Sequence, residues 1–286
     1  MITYTQAFVL GLLQGVTELF PISSLGHSVL FPHVIGWHIN ENDSQFVAFL
    51  VATHVGTALV LLAFFWRDWV RIIAGIFRSF AARRIDTSDT YAKIGWLLVA
   101  GTIPAGILGL LFQKQLESLF SDALYVAVAL ALNGLLLYGA EILRRSTEGA
   151  ANDTQIAQLS FPRAIAVGTM QALALIPGFS RTGAAMTGAL WSGLSHENAA
   201  RFAFLLATPI IFAAAVLKLP DLFAGGGAIV GPTVIGALAA ACAAYVSVRF
   251  LLKYFETKTL TPFAIYCVCA GIFALIAIAH PVSGLL

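Results

Sequence analysis

The stretch QGVTELFPISSLGH, residues 14–27, decides how this chain must be read. It places a carboxylate (Glu18), two hydroxyls (Ser23, Ser24) and an imidazole (His27) around a helix-breaking proline (Pro21). The sequence around it is apolar. Of 286 residues, 59% are hydrophobic and only 10% are charged, against about 25% charged in soluble domains. The mean hydropathy is +0.88. This composition points to an integral membrane protein without a sizeable soluble domain. The net charge of +2 gives no reason to expect a nucleic-acid partner. The three cysteines (Cys242, Cys267, Cys269) lie in apolar runs and suggest neither a disulfide framework nor a zinc site. The first apolar run carries Gln14 and Glu18 and lacks a basic leader, so it reads as retained structure, not as a signal peptide.

Six stretches have the ~20 apolar residues needed to cross a bilayer: 46–66, 92–112, 121–142, 197–218, 231–252 and 261–280. Two other apolar regions are broken in the middle. Residues 5–35 are interrupted at Pro21, and residues 162–195 at IPGFSRTG. Each piece is too short for a ~30 Å hydrocarbon core. The pairs therefore read as re-entrant helical hairpins, whose broken backbone must be buried in protein or line a wet cavity.

The two halves resemble each other. Gln14 precedes Ser23 by nine positions, and Gln171 precedes Ser180 by nine. Each pair flanks a proline, Pro21 or Pro177. Further on, AFLVAT (48–53) answers AFLLAT (203–208). The expected architecture is all-α, one membrane domain of two repeats, about 1–148 and 160–286. Each repeat holds one hairpin and three spans. Three is odd, so the repeats are inverted in the membrane, an arrangement that puts sites near the midplane. The polar segment 144–160 links them.

Positive charge sets orientation. Arg67, Arg71, Arg78, Arg83, Arg84 and Lys93 follow the first span, Arg144 and Arg145 begin the linker, and Arg249, Lys253 and Lys258 flank the last loop. All fall on one side, expected to be cytoplasmic. Both termini and the mouth of the first hairpin then lie outside.

An ionisable group at membrane depth costs about 2.5–3.5 kcal/mol on insertion scales, so Glu18 needs a partner, a cation, a proton or water. Gln14 lies four residues earlier on the same helix face. Past Pro21 a helix can restart with Ser23 or Ser24 near its N-cap, where free amides attract anions. His27 is one turn from both serines, so a serine nucleophile with an imidazole base is one reading; capping serines and a structural histidine are the plainer one. The second break, PGFSRTGAAMT, sets Arg181 beside Ser180 and Thr182, with Thr187 two turns along. An arginine fork with hydroxyls at a helix start suits phosphate or carboxylate. An Arg181–Glu18 ion pair tying the repeats together is the structural alternative. No Walker loop, dinucleotide glycine pattern or HExxH motif occurs, and His33, His38, His54, His196 and His280 show no ligand spacing, although His54 interrupts a span. Gly11 and Gly15 suit close helix packing.

With these motifs the chain resembles the bacterial undecaprenyl-diphosphate phosphatases, also called bacitracin-resistance proteins, along essentially its whole length. The resemblance rests on residues 14–27 and on PGFSRTG (177–183). It implies removal of the terminal phosphate from a C55 polyprenyl diphosphate, in the inner membrane of a bacterium, with a divalent cation, Mg2+ or Ca2+. It carries the acidic motif onto Gln14 and Glu18, which would hold the metal, the serine and histidine onto Ser24 and His27 with Ser23 adjacent, and the phosphate-binding arginine onto Arg181 beside Ser180. Many members have glutamate at the position of Gln14 and Ser or Thr at that of Leu25. The expected partners are the lipid substrate, the bilayer and, as one assembly, a second copy in a homodimer. A lipid flippase or secondary transporter of the same architecture is the main rival reading. A channel-like protein with Glu18 as its ion site leaves Arg181 without a task.

Overall fold

A computed structural model of the chain describes residues 2–37, 39, 43–86, 88–112, 122–144, 153–224 and 229–280. The part of the linker at 145–152, and His38, lie outside the described residues. The described chain is helical, with no strand among the described residues. In order the helices are α1 (Tyr4–Leu19), α2 (Ser24–Val34), α3 (Ser44–Phe64), α4 (Trp66–Ala82), α5 (Thr90–Leu111), α6 (Ala123–Leu143), α7 (Asp153–Ala157), α8 (Phe161–Gln171), α9 (Arg181–Trp191), α10 (His196–Ala224), α11 (Val230–Phe255) and α12 (Thr261–Ala279), with a 3₁₀ turn at Ala172–Leu175.

Six of them are long and apolar enough to cross a bilayer: α3, α5, α6, α10, α11 and α12. Their positions agree with the predicted spans to within a few residues. α1, α2, α8 and α9 are 16, 11, 11 and 11 residues long. At 1.5 Å per residue they reach about 24 Å at most, short of the hydrocarbon core. α1 packs along α11, α8 along α5, α3 between α10 and α11, and α6 along α12.

Small residues set these distances. A Cβ at Gly11 would collide with the carbonyl oxygen of Gly236, one at Gly15 with that of Ala240, and one at Gly168 with that of Gly101. Close backbone approach is how helices associate where lipid supplies no hydrophobic drive.

The charge-rich segment after the first span has the composition of a loop. It is the helix α4 instead. Its arginines lie along an amphipathic surface with Trp66, Val70, Ile73, Phe77 and Phe80 exposed. Arg78 clamps Asp89 through two bonds of 2.8 and 3.0 Å, and Asp89 caps α5 at the Ala92 amide, 3.0 Å away. The Arg78 guanidinium holds the Asp89 carboxyl below the usual carboxylate range. Arg201 of α10 meets Asp68 at 2.8 Å and fastens α4 to the bundle.

Candidate active site

Both breaks in the short helices have local causes. A residue before proline is driven out of the helical region. Phe20, ahead of Pro21, is accordingly extended (φ −66°, ψ 143°), and α1 stops at Leu19. The chain turns through Ser23 at φ +70° and restarts as α2, with Ser23 Oγ accepting from the Gly26 amide at 3.2 Å. In the second break Ile176, ahead of Pro177, is extended, and Gly178 takes φ +107°. A Cβ on Gly178 would lie 2.6 Å from the Val126 carbonyl oxygen, so glycine is required there twice over. Ser180 then caps α9, its Oγ accepting from the Gly183 amide at 3.1 Å.

The two breaks are joined through one side chain. Asn133 of α6 donates from Nδ2 to the Pro21 carbonyl at 3.1 Å and accepts at Oδ1 from the Ser180 amide at 3.0 Å. A second tie runs from Thr182 Oγ1 to the Glu18 carbonyl at 3.0 Å. These bonds use backbone groups that a helix break would otherwise leave unpaired in an apolar interior.

Around them the chemistry converges on Glu18, which is 5% exposed. Arg181 Nη2 pairs with its Oε1. Its Oε2 accepts from Ser24 Oγ at 2.5 Å and from Gln14 Nε2 at 2.9 Å, and His54 Nε2 stands 3.1 Å away. Arg181 also donates from Nη1 to the Ala207 carbonyl at 3.2 Å. An arginine and a carboxylate separated by 163 positions in the chain are thus in direct contact.

His27 is placed differently from its predicted role as base to Ser24. Its Nδ1 bonds the Ser23 carbonyl at 2.6 Å and its Nε2 the Tyr266 hydroxyl at 2.8 Å, with the two rings stacked. Ser24 turns its hydroxyl to Glu18 instead. Thr187 is buried, and its hydroxyl returns to the Gly183 carbonyl at 2.9 Å, within its own helix. Ser23, Ser180 and Thr182 are committed to the turns and caps described above.

Three contributors were not among the predicted site residues. Asn133 and Tyr266 are polar interruptions in apolar spans, and that is the only sequence signal they give. His54 gives the same signal, and the structure puts it on Glu18. His196, which also showed no ligand spacing, pairs with Glu141 at 2.7 Å at another place in the bundle. It anchors α10 to α6.

The fold and site together define a multi-pass helical membrane protein with a buried arginine, carboxylate and serine in one cluster. Comparison with known proteins places it further. Residues 7–273 match the family model described as "Bacitracin resistance protein BacA". The chain is 46% identical to the undecaprenyl-diphosphatase of Mycolicibacterium paratuberculosis, over 97% of this chain and 98% of that one. It is 47% identical to undecaprenyl-diphosphatase 2 of Burkholderia ambifaria, covering 93% and 94% of the two chains. With undecaprenyl-diphosphatase 2 of Frankia alni the identity is 41%, over 94% and 96%. The chain belongs to the bacitracin-resistance family of membrane proteins.

Proposed function

We propose that this chain is a membrane phosphatase that hydrolyses undecaprenyl diphosphate to the monophosphate and inorganic phosphate, recycling the lipid carrier of cell-wall synthesis and conferring bacitracin resistance. The observation that carries the reading is the contact of Arg181 with Glu18 beside Ser24. An anion-binding fork, a carboxylate and a hydroxyl share one buried point where two helix breaks meet. A flippase needs phosphate recognition but has no use for a serine hydroxyl held on a carboxylate. Purified protein in detergent micelles, without vesicles, should release inorganic phosphate from undecaprenyl diphosphate. Vesicle-dependent translocation without release would favour the flippase.

The residues divide the work as follows. Arg181 and the free amides at the start of α9 hold the terminal phosphate. When the diphosphate enters, it competes with Glu18 for the guanidinium, so the resting ion pair opens onto substrate. Ser24 Oγ attacks the terminal phosphorus. Its proton leaves along the hydrogen bond to Glu18, the Oγ–P bond forms, and the P–O bond to the lipid monophosphate breaks. Water then attacks the phosphoserine, the Oγ–P bond breaks, inorganic phosphate leaves with the new P–O bond, and Glu18 returns its proton to Ser24 Oγ. His27, held by Tyr266 and the Ser23 carbonyl, fixes the turn that presents Ser24. Direct attack by water is the alternative, and a normal rate in Ser24→Ala would establish it.

A divalent cation, Mg2+ or Ca2+, would be held by Glu18 and Gln14. The donors suit it: Gln14 is fully buried, and its Oε1 has no hydrogen-bond partner. When bound, the cation supplies positive charge to the diphosphate oxygens. Among the described residues no three His, Cys, Asp or Glu side chains cluster for a metal, so the cation would rest on the Glu18 carboxylate and the Gln14 amide oxygen.

Two re-entrant hairpins in inverted repeats, bounded at about 1–148 and 160–286, give the simplest account of the helix order. Under that reading α1 corresponds to α8, α2 to α9, α3 to α10, α5 to α11 and α6 to α12. The packing repeats accordingly: α1 on α11 answers α8 on α5, and α2 on α12 answers α9 on α6. Gly11 against Gly236 answers Gly168 against Gly101. The arginine-rich side, with α4, faces the cytoplasm, so both termini and the mouth of the site face outward. A homodimer is the proposed assembly.

A further inference from the structure

We propose that α4 lies in the plane of the membrane and binds the headgroups of anionic phospholipids, with its apolar stripe in the acyl layer and Arg67, Arg83 and Arg84 on the lipid phosphates. The proposal goes beyond the phosphatase reading and does not depend on it.

Two ion pairs fix how α4 runs. Near its start Asp68 accepts from Arg201, in the second turn of α10, at 2.8 Å. Near its end Arg78 clamps Asp89, the N-cap of α5. Spans alternate in direction, so α3 ends, and α5 and α10 begin, on the arginine-rich side. Both fastenings of α4 are therefore at one end of the bundle, about 15 Å apart along the helix. The helix runs across that end and does not enter the hydrocarbon core.

Its three faces meet three environments. Trp66, Val70, Ile73, Phe77 and Phe80 are exposed, and at about 100° per residue they fall within an arc of about 80°. Ile72, Gly75 and Ser79 are buried, about 150° round to one side. They face α5, where a Cβ on Gly75 would meet the Ala92 backbone and Ser79 Oγ accepts from Trp96 Nε1 at 2.8 Å. Arg67, Arg71 and Arg78 are exposed, about 120° round to the other side. A helix with aromatic residues on one face and arginines along its edge seats at the boundary between acyl chains and headgroups, where arginine stems stay in apolar surroundings and the guanidinium reaches the phosphates.

Charge selects among lipids. From Trp66 to Arg84 the chain carries five arginines and one aspartate, and that aspartate is taken by Arg201. Neither Arg67 nor Arg83 has a carboxylate partner among the described residues, and Arg84 stands 3.8 Å from Asp86 with both side chains exposed. The Arg67 guanidinium lies over the Trp66 ring, 5.5 Å from its centre, so cation and apolar anchor are held together at the start of the helix. An anionic headgroup layer supplies the negative charge that these guanidinium groups lack. Each basic residue near such a surface raises affinity about fivefold.

The test uses purified full-length protein in detergent, titrated with phosphatidylglycerol or with phosphatidylcholine of the same acyl chains and read by native mass spectrometry. The wild type should bind phosphatidylglycerol about tenfold or more tightly than phosphatidylcholine. Arg67→Gln/Arg83→Gln/Arg84→Gln should lose that preference, and lysine at the same three positions should keep it. Arg83→Gln alone should lose about fivefold, and it decides the matter if the triple variant does not fold. Phe77→Ser/Phe80→Ser should weaken both lipids alike. The proposal is overturned if the wild type binds the two lipids equally, or if the preference survives the glutamine variants. It is also overturned if Phe77→Ser/Phe80→Ser turns a dimeric wild type into a monomer with lipid binding unchanged, since the stripe is then an interface between copies.

Discussion

Glu18 is the residue on which the site turns, because four other side chains reach its two oxygens. Removing one partner of a buried pair leaves an uncompensated charge, at about 3–5 kcal/mol. Glu18→Gln is therefore expected to fold with lower stability and to lose phosphate release by about 10²–10³-fold, the range for deleting one preorganised electrostatic group. A stopped phosphate assay on the detergent-purified variant checks this. Gln14→Glu is expected to act in the opposite sense. It restores the second carboxylate and should tighten Mg2+ and Ca2+ binding, which isothermal titration can measure.

At this scale the sequence was informative where a polar residue interrupts an apolar run. Glu18, Ser24 and Arg181 stood out for that reason. The Ser24–His27 pairing did not follow, although the spacing allowed it. The ring's Nδ1 is taken by the Ser23 carbonyl, four residues back, and its Nε2 by Tyr266, 239 residues away in the chain. No local pattern could have announced that second partner. Nor could local pattern show that His54 would face Glu18, since the two lie on different helices.

At the scale of elements, the six spans were legible because each is a run of ~20 apolar residues, which only a membrane explains. The short helices were legible through their prolines. α4 was not, because three arginines among apolar residues read as a loop unless a surface exists for the helix to lie along. Its fastening gives a prediction. Asp89 is held below the usual carboxylate range by Arg78, so the clamp contributes above the unfolded-state pKa of Asp and is lost as pH falls through the depressed folded value. Protection of the α5 N-terminus against hydrogen exchange, relative to the unstructured chain at the same pH, should accordingly fall only in acid, and Asp89→Asn should show the lower protection already at neutral pH. Helix packing gives another. The nearest atoms to a Cβ in Gly168→Ala are all Gly101 backbone, which cannot move aside as a side chain would. A loss of about 1–3 kcal/mol is expected, seen as a lower midpoint in thermal unfolding of the purified protein.

For the molecule as a whole, the proposed function needs two oppositely inserted halves to deliver their side chains to a shared point. Glu18 and Ser24 come from the first break and Arg181 from the second, with Asn133 bonded to both. The repeated Gln–Ser spacing and the odd number of spans are what motivate the proposal of inverted repeats. The tie through Asn133 was not legible, because a single amide in an apolar helix does not say which backbone groups it will meet. Orientation is open to direct labelling. A cysteine introduced at residue 3 should react with an impermeant maleimide added outside intact cells, and one at residue 84 should react only after lysis.

The most direct measurement is phosphate release from undecaprenyl diphosphate by purified Arg181→Met protein, which keeps the aliphatic stem and removes the fork. The account predicts a fall of about 10²–10³-fold, with the variant still eluting from size exclusion as the wild type does. A rate near that of the wild type would show that the terminal phosphate is not held where the two breaks meet.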